Sequence, residues 1–315
     1  MPLDPQVAAL LAQMQEAGAK PFEELSVPEA RVAARIFADL QGVPEPVARV
    51  DHIFIPGPTA DLPARIYTPE GEGPHPGLVY FHGSGWVVLN IEVCDTTMRA
   101  LANSTGCVVV AVNYQKAPEH PFPVPFEDCW AATLWTFENA EALGIDPARI
   151  GVIGDSAGGN LAAAVTLRAR EEGAPRIAFQ ALIYPAVEHN WDSGSAHENA
   201  EGYLLQRESM RWFWNHYVPD KALADDWRVS PLKASDHAGL PPAFIATAEF
   251  DPLRDDGRAY HAALHDAGVP VTYVEYDGMI HGFYWMQGVC DGAKRLHADL
   301  AEAIREVLQP THINA

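Results

Sequence analysis

Gly154-Asp155-Ser156-Ala157-Gly158 follows the apolar run Ile150-Gly151-Val152-Ile153 and leads into a segment rich in small residues, Ala162-Ala163-Ala164. In this setting a sharp strand-to-helix turn lifts a serine hydroxyl out of a sheet. Such a turn forces strained dihedrals on the serine, and glycine at 154 and 158 removes side chains that would collide there. The helix begun at about Ser156 points its free N–H groups toward negative charge forming at the turn. Ser156 is therefore the candidate nucleophile. The string G-x-S-x-G recurs by chance; its strand–turn–helix setting gives it weight.

Outward from this turn, the chain alternates apolar runs with helical periodicity. Strand-like runs are Val50–Ile55, Ala64–Tyr67, Leu78–Phe81, Val108–Tyr114, Phe179–Tyr184, Ala243–Ala248 and Val271–Tyr276. Helices are predicted over 5–18, 28–41, 126–141, 156–170, 254–267 and 290–307. From residue 108 onward this predicts an α/β fold, a mostly parallel sheet covered on both faces by helices. Residues 186–235 interrupt the alternation and hold Trp191, Tyr203, Trp212, Phe213, Trp214, Tyr217 and Trp227. A structureless loop of that length is unusual, so the segment is expected to be helical and to pack elsewhere. Residues 1–45 and 186–235 are read as a helical cap, and 46–185 with 236–315 as the sheet-bearing domain.

A serine hydroxyl needs a base, and an acyl transfer needs donors where the carbonyl oxygen becomes negative. Of thirteen histidines, His281 is best placed, in the loop Gly278-Met279-Ile280-His281-Gly282-Phe283 after the last strand. His297 falls within a helix and is expected at the surface. Asp251, a few residues beyond Ala243–Ala248, is the expected acid; it would hold the imidazole tautomer and stabilise imidazolium. Its neighbours Glu249, Asp255 and Asp256 are read as solvated loop or helix-start carboxylates. His82-Gly83-Ser84-Gly85-Trp86 follows the strand Leu78–Phe81, where small residues let backbone N–H groups approach a substrate. Ser84, Gly85 and Ala157 are the candidate oxyanion donors, supported by His82 and Gly83. Trp86, Trp212 and Phe213 are candidate pocket walls.

With these residues in place, the chain resembles the bacterial hormone-sensitive-lipase family of α/β-hydrolases. The family's H-G-G-G motif reads His82-Gly83-Ser84-Gly85 here, and its G-D-S-A-G-G turn reads Gly154-Asp155-Ser156-Ala157-Gly158-Gly159. Tyr114, Ala117-Pro118-Glu119 and Pro121-Phe122-Pro123 resemble the family segment Y-R-L-A-P-E-x-P-F-P. The similarity continues through Ser230-Pro231-Leu232, Leu240-Pro241-Pro242 and Asp251-Pro252-Leu253 to His281-Gly282-Phe283. It implies an α/β-hydrolase fold and a serine carboxylesterase acting on short acyl chains, with a homodimer as a family-level expectation. Two readings stay open beside it: an amidase or deacetylase of a specialised metabolite, and a non-catalytic small-molecule-binding homologue. Two positions depart from the pattern. Ser84 replaces a glycine, at a cost of about 1–2 kcal/mol if that backbone is left-handed. Gln115-Lys116 replaces Arg-Leu, with packing as the expected consequence.

Twenty-one basic against forty-two acidic residues give a formal charge of −21, which repels phosphate backbones and anionic lipid. No nucleic-acid or membrane partner is expected. The first residues lack the basic and apolar regions of a secretory signal, so a cytoplasmic location is expected. Cys94, Cys107, Cys129 and Cys290 form no C-x-x-C pair and are read as reduced. His261 and His265 stand four apart, but no H-E-x-x-H accompanies them, so no metal is assigned. The glycine-rich stretches lack phosphate-loop and dinucleotide spacing, and no cofactor is implied.

Overall fold

Strand pairing fixes where the candidate residues emerge. In a computed structural model describing residues 2–309, eight strands form one sheet. They are β1 (Arg49–Pro56), β2 (Asp61–Thr68), β3 (His75–Phe81), β4 (Val108–Val112), β5 (Ile145–Asp155), β6 (Phe179–Ile183), β7 (Ala243–Phe250) and β8 (Val271–Ile280). Their order is β1-β2-β4-β3-β5-β6-β7-β8, and β2 alone runs opposite to the other seven.

The central strands are near-continuous apolar runs, as strands covered on both faces must be; β4 is Val108-Val109-Val110-Ala111-Val112, all buried. Alternate side chains enter opposite cores. Val79, Phe81, Val108 and Val110 join one cluster, while Leu78, Tyr80, Val109 and Ala111 join the other. Phe81 is in register with Gly154, so His82 and Asp155 leave β3 and β5 side by side. Phe250 pairs with Ile280, which delivers Asp251 and His281 as neighbours at the same end of the sheet.

The helices are α1 (Pro5–Glu16), α2 (Val27–Ala33), α3 (Ile36–Asp39), α4 (Asp95–Thr105), α5 (Val124–Glu138), α6 (Ala157–Glu172), α7 (Gly194–Glu198), α8 (Arg207–Tyr217), α9 (Arg254–Asp266) and α10 (Asp291–Leu308). Two differ from expectation. The helix expected over 28–41 breaks between α2 and α3, where Arg35 N–H bonds Val32 O and Phe37 N–H bonds Ala34 O in tighter three-residue turns. Helix α4 was not expected at all. Its buried face is Thr97, Met98, Leu101, Ala102 and Thr105, and the threonines conceal the apolar stripe.

Residues 186–235 form α7, α8 and two short 3₁₀ turns rather than a long loop. Helix α8 buries Met210, Phe213, Trp214 and Tyr217, and meets the N-terminal segment. There Phe22 tilts against Phe213 at 5.1 Å, and the Ser209 hydroxyl donates to the Glu23 carboxylate.

Candidate active site

Ser156 sits between the end of β5 and the start of α6 with φ 55° and ψ −120°, a conformation an L-residue adopts only under constraint. Its N–H donates to Ile183 O at 2.8 Å, pinning the turn to β6. The flanking glycines are required by close approach, though not to the serine itself. A Cβ on Gly154 would lie 2.1 Å from Gly158 O, and one on Gly158 would lie 1.9 Å from Phe81 O. The turn thus wedges α6 against β3.

His281 Nε2 lies 2.9 Å from Ser156 Oγ, and its Nδ1 lies 2.7 Å from Asp251 Oδ2. The Asp251 carboxylate is fully buried and its Oδ1 accepts from Leu253 N–H at 2.8 Å. With Nδ1 donating to Asp251, Nε2 is left as the acceptor facing the serine. Asp255 and Asp256 lie in the first turn of α9 as expected, and Glu249 and Asp255 are part-exposed; Asp256 departs from the solvated reading. Asp256 is buried and accepts from Val187 and Glu188 N–H, while Asp255 accepts from Ser195 N–H. Both bind the segment after β6 to the start of α9.

The loop after β3 uses its N–H groups selectively. Gly83 N–H donates to Asp155, Trp86 N–H to Ser84 Oγ, and Val87 and Val88 N–H to Ser84 O. Among the described residues nothing accepts from Ser84 or Gly85 N–H. Ala157 N–H, in the first turn of α6, has no acceptor within its own helix. These are the three donors the sequence points to.

Ser84 is not in the left-handed region, so the expected strain is absent. Its side chain instead completes a chain of hydrogen bonds. The Tyr114 hydroxyl donates to His82 O at 2.6 Å, which leaves Ser84 to donate to Tyr114 Oη at 2.6 Å. The His82 ring stacks on Tyr114 at 4.5 Å, and burial holds it neutral, with its pKa pushed down to about 3. Lys116 does more than fill space: its buried ammonium donates to Asn113 Oδ1 and Tyr114 O.

Ser156, His281, Ser84 and Gly85 open onto a narrow cavity of about 80 Å³. Its walls are apolar: Phe22 and Phe37 from the N-terminal segment, Leu204, Leu205, Met210, Phe213 and Trp214 from the segment after β6, and Trp86, Val88, Leu89, Leu253 and Trp285. Trp86 is fixed by stacking on Tyr217 at 4.3 Å. Phe213 stands where a Cβ on Gly85 would be, 2.2 Å from that position. Trp212 is not among the wall residues; it packs edge-on against Phe213 and His216. His297 is part-buried rather than on the surface, its Nε2–H donating to Tyr284 O at 2.9 Å and its ring stacked on Tyr284 at 4.6 Å. The sequence motifs include Tyr114 and Asp155 without revealing what they bond, and Phe22 and Phe37 are isolated aromatics that carry no spacing signal.

Among the described residues, no group of three or more His, Cys, Asp or Glu side chains is placed to hold a metal ion. His261 stacks on Tyr273 at 4.7 Å, and His265 is exposed. No described helix is long and apolar enough to cross a membrane.

Residues 78–285 match a family described as having the alpha/beta hydrolase fold. The carboxylic ester hydrolase LipN of Mycobacterium tuberculosis is 36% identical over 96% of this chain and 82% of its own length. The ethyl acetate hydrolase of Pseudomonas putida is 35% identical over 98% of this chain and 100% of its own. Among solved structures, an α/β hydrolase from the metagenome of Lake Arreo, Spain, superposes with a TM-score of 0.93 at 42% identity, covering 96% of this chain and 98% of that one. The chain belongs to the hormone-sensitive-lipase-like family of α/β hydrolases.

Proposed function

We propose that this chain, a carboxylic ester hydrolase, cleaves small, short-acyl esters with Ser156 as nucleophile, His281 as base and Asp251 as its orienting acid. The observation that carries the assignment is the continuous line Ser156 Oγ, His281, Asp251, with contacts of 2.9 and 2.7 Å. Ser156 Oγ attacks the ester carbonyl as its proton passes to His281 Nε2. The new oxyanion accepts from Ser84, Gly85 and Ala157 N–H. His281 then protonates the departing alkoxide, and a water repeats the sequence to release the acid and restore Ser156.

The narrow apolar cavity supports a small uncharged substrate. Residues 1–45 and 186–235 serve as its cap, since both segments supply walls facing the serine. Four free, buried thiols suit a reducing cytoplasm.

Labelling with an organophosphate, together with turnover of a short-chain ester, tests the reading. Wild-type protein should be labelled once and lose activity, and Ser156→Ala should neither label nor turn over. Retained turnover in Ser156→Ala would overturn the nucleophile. An amide cleaved as fast as its matched ester would move the reading to an amidase.

A further inference from the structure

Asp155 is a buried carboxylate, 3% exposed, with neutral donors around it. Tyr80 OH and Gly83 N–H reach its Oδ1 at 2.7 and 2.8 Å, and among the described residues no ion pair includes it. Burying a charge without a cation is costly, and a neutral isostere with the same acceptor would cost less. Its place suggests what offsets that cost. It directly precedes Ser156, and it grips Gly83, which precedes the donors Ser84 and Gly85.

The titratable groups around Asp155 come from every neighbouring element. They are Tyr80 on β3, Cys94 ahead of α4, Tyr114 after β4, Tyr184 after β6, and His281 and Tyr284 after β8. Burial pushes the four phenols and the thiol well up, so those five groups stay neutral at working pH. His281 is the member that becomes positive during the reaction.

We infer that Asp155 is a positioning residue with an electrostatic duty: its fixed negative charge supports the imidazolium formed at His281, while its Oδ1 holds Gly83 so that Ser84 and Gly85 N–H face Ser156. This rests on the Ser156–His281–Asp251 reading. The charge cannot migrate or relax, so it is already oriented when the imidazolium forms.

Burial pushes the Asp155 carboxyl up to about 6, against the pull of Tyr80 and Gly83. A carboxyl with a folded pKa above its unfolded value favours the folded state when protonated. Its contribution therefore declines as pH rises from about 4 to about 6 and is least favourable above that. Function is thus gained where stability is given up.

Asp155→Asn keeps the Oδ1 acceptor and removes the charge. It should lower kcat by about ten- to a hundredfold with KM within a few-fold, and shift the acid limb of kcat/KM to lower pH. At pH ~8 its Tm should exceed that of the wild type, with the gap closing toward pH ~4. Tyr80→Phe removes a donor and makes the Asp155 charge harder to form, so its acid limb should move the other way, to higher pH. That opposite shift carries the test even if Asp155→Asn fails to fold. A purely structural carboxylate would predict an Asp155→Asn profile superimposed on the wild type with kcat within twofold, and that result would overturn the proposal. So would a downward shift in Tyr80→Phe. Neutral variants at 155 and 80 with a dead Ser156→Ala remove this inference alone; an active Ser156→Ala removes the reading beneath it.

Discussion

A serine at position 84, where the family motif has glycine, changes what holds the loop after β3. Ser84 Oγ accepts from Trp86 N–H at 2.9 Å and donates to Tyr114, whose own hydrogen fixes His82 O. Trp86, held at φ 58° and nearly fully buried, has no other acceptor for that N–H among the described residues. Ser84→Ala should therefore destabilise the fold by about 1–3 kcal/mol, the cost of leaving a buried donor unmade. Urea unfolding at equal m-value measures this; an unchanged midpoint would mean that the loop relaxes without the hydroxyl. The meeting of Ser156, His281 and Asp251 at strand ends was legible from their motifs. The hydrogen bonds of Asp155 and Tyr114 were not, because they depend on which residue stands opposite across the sheet. Spacing along the chain does not encode that. Asp256 misled for the same reason: the start of a helix reads as solvated until the segment after β6 is laid over it.

At the scale of elements, the N-terminal segment is fastened over the stretch after β3 by side chains that include Arg31 and Gln41, the latter donating to Val93 O. Arg31 on α2 donates to Val87 O at 2.9 Å and Ala117 O at 3.1 Å, and forks onto Glu119 at 2.7 and 2.6 Å. Arg31 holds the Glu119 carboxyl down to about 2. Much of that pair is solvated, so its ionic part counts for little, and the carbonyl contacts dominate. Arg31→Ala should cost about 1–2 kcal/mol and speed amide hydrogen exchange in α2 and α3 ahead of the sheet. Uniform protection across the chain would refute the fastening. Helix α8 makes the complementary case. Phe213 bridges Gly85 and Phe22, so Phe213→Ala should enlarge the cavity and raise the octanoate-to-butyrate ratio of kcat/KM by about tenfold. A ratio unmoved by that truncation would place the acyl chain elsewhere. The sheet elements were read from continuous apolar runs, which burial on both faces dictates. Helix α4 and the break before α3 escaped because threonines line one buried face and tight turns interrupt the other without glycine or proline.

For the whole molecule, the formal charge of −21 sets a long-range field that no single contact reveals. Composition shows its sign, while only the structure shows that the cavity beneath it is walled mostly by apolar side chains. A neutral ester should enter this cavity at a rate independent of salt. An ester bearing a remote carboxylate must approach through the negative field, which reaches about 30 Å at 0.01 M ionic strength and about 8 Å at 0.15 M. Its kcat/KM should therefore rise severalfold over that range, while the neutral partner stays flat. The same screening relieves repulsion among the surface carboxylates, so Tm should climb with sodium chloride over the same interval. If both esters respond equally, the salt acts on the protein's conformation and not on the encounter. Comparing the pair at a constant interval below Tm, reached by adjusting temperature at each salt concentration, separates these two effects.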